Sequence, residues 1–335
     1  MKFELMNSTP FVPLHFESID AKLNHFGVLV VRGSFDIENG KRLCLAKEQE
    51  PIILEDQYFG DPASSSLRFD SGLSPYKPHT DILVEATAYS PSGRPEETWV
   101  SSLRVGSIQK SLLVTGPRQW QRKLGIPRLS PIEPIASLPV RYEHTFGGVR
   151  SDGDRFASNP VGMGYENKLN GHAVPVPQIL PVDLDCPVFG KVLSPVGLGP
   201  IPPSWQPRLQ RAGTYDSAWQ ETRAPYLPTD FSFEFYNVAS EGMRFDGFAN
   251  GDEVFFLQNL SRERELRFGL PKIQMVTLIQ FEDGRIIPCP VNLDTIEIEV
   301  ERKKVFLQWR AIFPAHIPTR AIEIRMSAPE NMVEV

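Results

Sequence analysis

Lys77, His79 and Asp81 stand within five residues, in the phrase Lys77-Pro78-His79-Thr80-Asp81. A lysine, a histidine and a carboxylate so close could move protons. On a strand, alternation would set all three on one face. Pro78 and the start of a strand argue instead for an entry turn, with Asp81 or Thr80 satisfying backbone donors. Gly147-Gly148 and Gly162-Met163-Gly164 hint at phosphate loops. Neither follows a clear strand and opens a helix, as phosphate capture requires, and no Gly-Lys-Ser/Thr is present. These glycines are read as sites of positive φ or close backbone approach. His15, His25, His79, His144, His172 and His316 show no His-x-x-x-His spacing, and no Cys-x-x-Cys occurs, so spacing gives a metal site no support. No serine sits in a Gly-x-Ser-x-Gly elbow. Asp216 beside Trp219 could contact a sugar, but reads first as the cap of a turn or short helix that includes Trp219.

The elements that would position these residues are mostly strands. Residues 26–35 are β-branched and apolar, and Asn39-Gly40 then predicts a type I′ hairpin with 42–46 returning. Residues 11–25 give no clear period, and 48–74 read as loop. Strands are predicted at 82–89, 99–105 and 108–115, the last two around Gly106. Shorter ones follow at 253–257 and 265–268, with a turn or short helix at 240–250. Residues 273–281 meet a second hairpin turn at Asp283-Gly284. Residues 295–300 and 305–310 alternate strictly, which predicts an antiparallel sheet with one charged, wet face. A last strand falls at 321–326.

Between these groups lies an irregular middle, 138–231, with a large share of the chain's 31 prolines. Proline removes a backbone donor, so little of this stretch can be ladder or helix. It is too aromatic to float free as a linker. Its expected state is a long ordered loop packed on a scaffold, and such loops more often bind than merely connect. The fold class expected is mainly β: antiparallel, hairpin-built sheets, sandwich-like or barrel-like at both ends, with a Pro/Gly/aromatic middle. Residues 1–335 are expected to form one composite domain with sub-regions 1–125, 126–235 and 236–335.

Composition narrows the function. The net charge of -6, with scattered Lys and Arg, gives no basic footprint for nucleic acid and no polybasic membrane patch. Cys44, Cys186 and Cys289 are odd in number and far apart, which favours a reducing compartment over a disulfide framework. The first seven residues lack an apolar signal core, since Glu4 and Asn7 interrupt it. No run approaches the ~20 apolar residues of a membrane span. A cytoplasmic protein is expected. With no convergent catalytic set and no cofactor called for, aromatic loops on a β scaffold suggest a partner surface. Lys77, His79, Asp81, Trp120, Asn159, Tyr165, Tyr215, Asp216, Trp219 and Tyr226 are its candidate residues.

Eight phrases occur in order: Lys77-Pro78-His79-Thr80-Asp81; Gly116-Pro117-Arg118-Gln119-Trp120; Leu138-Pro139-Val140-Arg141-Tyr142-Glu143-His144-Thr145-Phe146-Gly147-Gly148; Asn159-Pro160-Val161-Gly162-Met163-Gly164; Gly213-Thr214-Tyr215-Asp216-Ser217-Ala218-Trp219; Leu227-Pro228-Thr229-Asp230-Phe231; Gly251-Asp252-Glu253; and Leu307-Gln308-Trp309-Arg310. Together they resemble a bacterial domain-of-unknown-function family of type VI secretion accessory proteins, over roughly residues 10–315. The resemblance implies an adaptor, or effector chaperone. Such a protein would hold a toxic effector bearing a PAAR or PAAR-like domain and help load it onto the VgrG spike. It brings no catalytic residues. The rival expectation is a β-rich enzyme acting on cell-wall carbohydrate through Asp216 or Asp81, and a weaker third is a fixed part of the secretion apparatus.

Overall fold

In the computed structural model, residues 3–169, 171–184 and 186–326 are described. Met1, Lys2 and residues 327–335 lie outside them, so the end of the expected domain does too. The main strands are β1 (Glu4–Asn7), β2 (Val12–Ile19), β3 (His25–Asp36), β4 (Asp81–Glu85), β5 (Thr98–Val105), β6 (Ile108–Thr115), β7 (Gln119–Lys123), β8 (Ile126–Leu129) and β9 (Ile179–Pro181). After α1 (Ser217–Thr222), the one α-helix among the described residues, come β10 (Val254–Gln258), β11 (Glu265–Gly269), β12 (Met275–Phe281), β13 (Ile286–Cys289), β14 (Asn292–Glu299), β15 (Lys304–Pro314) and β16 (Thr319–Met326).

Three larger sheets carry the fold, and none closes into a barrel. One runs β2-β3-β15-β14-β4, with Cys44–Leu45 added on β3. A second runs β9-β6-β5-β10-β11 and ends on Lys41–Arg42. A third runs β1-β16-β12-β13. Pairing is mostly antiparallel; β14 with β4 and β1 with β16 are parallel. Strands from the two ends of the chain thus lie side by side, β3 against β15 and β5 against β10. The shared core takes one face of the first sheet, through Leu29, Val31, Ile82, Ile296, Ile298, Leu307 and Trp309, and packs it on Leu103, Val114, Phe255 and Phe268 of the second.

The hairpins around Gly106 and Asp283-Gly284 form as expected, with φ of +54° and +88° at the two glycines. The Asn39-Gly40 hairpin does not form as expected. Only Gly40 takes the left-handed φ there, and the Asn39 side chain instead donates to the Glu265 carbonyl and accepts from the Arg267 N–H. Only Cys44 and Leu45 return on β3, whose long partners are β15 and the unforeseen β2.

The expected wet face is also overturned. Arg32, Thr295, Glu297, Glu299, Gln308 and Arg310 alternate with the core residues, yet all are buried. Residues 46–77 lie over them. Gln49 exchanges hydrogen bonds with both backbone groups of Ser34, and Arg310 donates to the carbonyls of Gly72 and Ser74. Strict alternation reports polarity, and exposure follows only when nothing covers the polar face. Here the charges are paired. Arg32 meets Glu297 at 3.0 Å, Arg310 meets Asp294 at 2.6 Å, and Glu299 is shared by Arg302 at 2.8 Å and Arg68 at 3.4 Å. Burial still pushes the Glu299 carboxyl above its usual value, against the pull of those arginines.

A buried ion pair is fragile to the loss of one partner and tolerant of the loss of both. Glu297→Leu alone should therefore lower unfolding stability by about 3–5 kcal/mol, because it strands the Arg32 guanidinium. The paired change Arg32→Met with Glu297→Leu should recover most of that. Denaturant midpoints of the three proteins check this, and a single variant as stable as the parent would refute it.

Candidate functional site

Strand β4 begins at Asp81, so Lys77 and His79 precede it and sheet alternation does not align the three. They converge by another route, on residues 234–247. The Asp81 carboxylate is fully enclosed. It accepts from the Lys77 ammonium at 3.0 Å, from the Asn237 side-chain amide at 3.0 Å and from the Val238 N–H at 2.9 Å. His79 Nδ1 accepts from the Gly247 N–H at 2.9 Å, so the ring proton sits on Nε2 and donates to Glu234 at 2.9 Å. Desolvation opposes ionisation of Glu234, but Arg244 and His79 hold its carboxyl below the usual value. Every ionisable atom in this cluster is spoken for. It is a clamp that fixes one loop to the sheet.

What the clamp positions lies one residue away on each side. Tyr76 precedes Lys77 and Phe233 precedes Glu234, and the two rings meet edge-on at 5.4 Å. Phe26 meets Phe233 at 6.4 Å. Arg208 braces the same segment from behind: it donates to the Phe235 carbonyl at 2.8 Å, pairs with buried Asp70 at 3.1 Å and lies over the Phe235 ring. Burial pushes the Tyr236 phenol up to about 12. Tyr76, Phe26 and Phe233, with Leu23, Ile312 and Phe313, line a groove of about 1100 Å³ at the ends of β3 and β15. Leu23 is 47% exposed and Ile312 43% exposed. Leu23 sits at φ +66° in a turn shaped by Asp20, which accepts from the backbone of Lys22 and Asn24. That backbone costs a leucine roughly 1–2 kcal/mol.

The remaining candidates divide into two groups. Asn159 is fully buried, and its side-chain amide donates to the Tyr142 carbonyl, the Thr145 hydroxyl and the Phe146 carbonyl. It pins the short parallel pairing of Phe146 and Gly147 with Met163 and Gly164. A Cβ at Gly147 would stand 2.1 Å from the Asn159 carbonyl, and one at Gly162 2.4 Å from its amide nitrogen. The two glycine phrases therefore serve close backbone approach, as their sequence suggested. Tyr165 closes this knot. Its ring packs on Phe146 and Phe156, and its hydroxyl donates to Asp154. Trp120 packs its ring on Phe189 at 5.6 Å.

Tyr215, Asp216, Trp219 and Tyr226 gather around α1. Asp216 caps the helix by accepting from the Trp219 N–H at 2.8 Å. The Trp219 indole donates to the Tyr226 carbonyl, and its ring meets Tyr215 at 4.7 Å. Arg223 donates to the Ala21 carbonyl and so ties this knob to the groove's rim. The groove's own lining was not foreseen. One signal was present: Ile312 puts an aliphatic side chain in the series that carries Gln308 and Arg310. Tyr76 and Phe233 gave none, since only the fold brings them together. Among the described residues, no group of three or more His, Cys, Asp or Glu is placed to hold a metal, and no helix is long and apolar enough to cross a membrane.

A family model described as an uncharacterized protein conserved in bacteria (DUF2169) matches residues 23–310. No curated protein and no solved structure matches the chain.

The clamp and the cap should differ sharply in cost. Asp81→Ala leaves a buried ammonium and two unpaired donors, and should lower stability by about 3–5 kcal/mol. Asp216→Ala loses one exposed cap and should cost about 0.5–2 kcal/mol. Unfolding midpoints of both variants check the order; a reversed order would show that Asp81 is not the clamp's centre.

Proposed function

The chain belongs to the DUF2169 family of bacterial proteins, and from that premise we propose that it is a binding protein that holds an apolar segment of a partner protein in the groove beside Phe233. The observation that carries this reading is the groove itself. It presents Leu23, Phe26, Tyr76, Phe233 and Ile312 together, with Asp20, His25 and His316 also in its lining, while Lys77, His79 and Asp81 are spent on the clamp behind it. Burial of such a surface is favourable by about 25 cal/mol per Å². A carrier that must later let go needs only an interface of standard size, about 1,600 Å² in total.

The finer reading rests on the resemblance of the eight ordered phrases. The partner is a type VI effector carrying a PAAR or PAAR-like domain. The protein acts as its adaptor in the bacterial cytoplasm and helps place it on the VgrG spike. The rival, an enzyme acting on cell-wall carbohydrate, draws no support from its two proposed carboxylates. Asp81 is enclosed, and Asp216 holds the end of α1.

Co-purification of the full chain with a PAAR-bearing effector and a VgrG from the same bacterium tests the proposal. The expected result is a complex with the effector that weakens at least about tenfold in Leu23→Asp and Ile312→Asp, with melting temperatures near the parent's. A tenfold loss is about 1.4 kcal/mol, less than one buried Leu or Ile side chain contributes. Folded parent protein that captures neither partner would refute it.

A further inference from the structure

Strands β7 and β8 form a hairpin whose register sets Trp120 opposite Leu129, Gln121 opposite Arg128, Arg122 opposite Pro127 and Lys123 opposite Ile126. Opposed residues share a face, so the two faces can be read off. Trp120 and Leu129 are half-buried, and Trp120 packs on Phe189 and pairs with Val174. This face anchors the hairpin. Gln119, Gln121, Lys123, Ile126 and Arg128 form the other face, and every one is exposed. At the tip, Leu124 is 96% exposed and Ile126 56%.

Two features of this surface are not explained by folding. Leu124 holds a left-handed φ of +53°, ahead of Gly125 at +80°. That turn favours Asn or Gly, and a leucine there is strained while touching nothing. Residues 117–132 also carry Arg118, Arg122, Lys123 and Arg128 with no Asp or Glu, in a chain of net charge -6. Among the described residues, no ion pair engages Arg122, Lys123 or Arg128. Pro127 on the outer strand obstructs pairing with an added strand, so contact must be made by side chains.

We propose that residues 119–129 are a docking prong for an acidic protein surface, with Leu124 and Ile126 entering an apolar socket and Lys123 and Arg128 pairing with carboxylates at its rim. This rests on the reading of the chain as a binding protein and gives it a second contact surface besides the groove. The charge complementarity of an acid-free prong selects the partner's sign and speeds encounter. An anionic membrane fits less well. Interfacial anchors favour Trp or Phe on the inserted face, and the hairpin's aromatic, Trp120, faces the other way.

The test uses the full chain, a labelled synthetic peptide of alternating Glu and Leu, and phosphatidylserine vesicles. The peptide should bind the parent, weaken at least about tenfold in the Lys123→Glu/Arg128→Glu variant, and weaken on raising salt toward 1 M, where the screening length shrinks to about 3 Å. Leu124→Gly should weaken binding about fivefold while leaving the melting temperature equal or higher, since glycine relieves the strained φ. Ile312→Asp should leave peptide binding intact. Binding that survives charge reversal but fails in Ile312→Asp would place the peptide in the groove and overturn the prong while the groove reading stands. Prong-dependent binding of the vesicles without binding of the peptide would overturn it in favour of a membrane.

Discussion

The structure depends on burying charge against charge. The sheet β2-β3-β15-β14-β4 has two faces: one joins the main core, and the other sets charged residues beside a small apolar cluster of Val28, Val30 and Ile52. The other carries Arg32, Glu297, Glu299 and Arg310, all under residues 46–77. A segment with almost no regular structure covers that face only in part by hydrophobic contact, through Ile52 on Val28 and Val30. It succeeds because each charge meets an opposite one, and because Gln49, Gly72 and Ser74 supply backbone and amide partners. Ion pairs of this kind add little net stability over apolar replacements. The covering segment adds Arg68 to Glu85 and Glu299 and Glu50 to Arg302, and these contacts fix its placement.

The same device recurs behind the groove. Lys77 with Asp81, and Arg208 with Asp70, hold the loops that carry Tyr76 and Phe233. The groove wall is thus made of loop residues held by buried polar clamps. A wall held in this way loses little conformational freedom when a ligand arrives, so more of the burial energy can appear as affinity. The lysine, histidine and aspartate most suggestive of proton transfer do their work one residue away from the surface they shape.

Much of the sheet framework was legible because hairpins are local. Gly106 and Gly284 sit in turns that need left-handed φ, and each lies between runs of period 2. Asp216 and Trp219 were readable as a helix cap for the same reason, since cap and donor are three residues apart. The errors have one origin. Asn39 looked like half of a hairpin turn, but its side chain is spent on Glu265 and Arg267, over two hundred residues away in sequence. The polar face of β14 looked wet because the segment that covers it comes from the first quarter of the chain. Alternation and turn chemistry record what neighbours in sequence do; the cover on a face and the wall of a groove are set by distant residues. Asn159 lies between these cases, since its three acceptors fall within seventeen residues.

Leu23 and Leu124 share an unusual backbone state. Both are exposed leucines held at left-handed φ, one at the groove's rim and one at the tip of the β7–β8 hairpin. In each turn Asn or Gly would be the less strained choice, and in neither does the leucine contribute to the core. The fold thus carries strain at two exposed apolar points and nowhere gains packing from it. Such strain is intelligible if the side chains are buried in a complex, where each aliphatic group can return more than its backbone costs. A reaction pocket would instead concentrate its unusual features on ionisable groups. The Lys77, His79 and Asp81 side chains are spent on contacts within the fold, and the strain falls instead on Leu23 and Leu124.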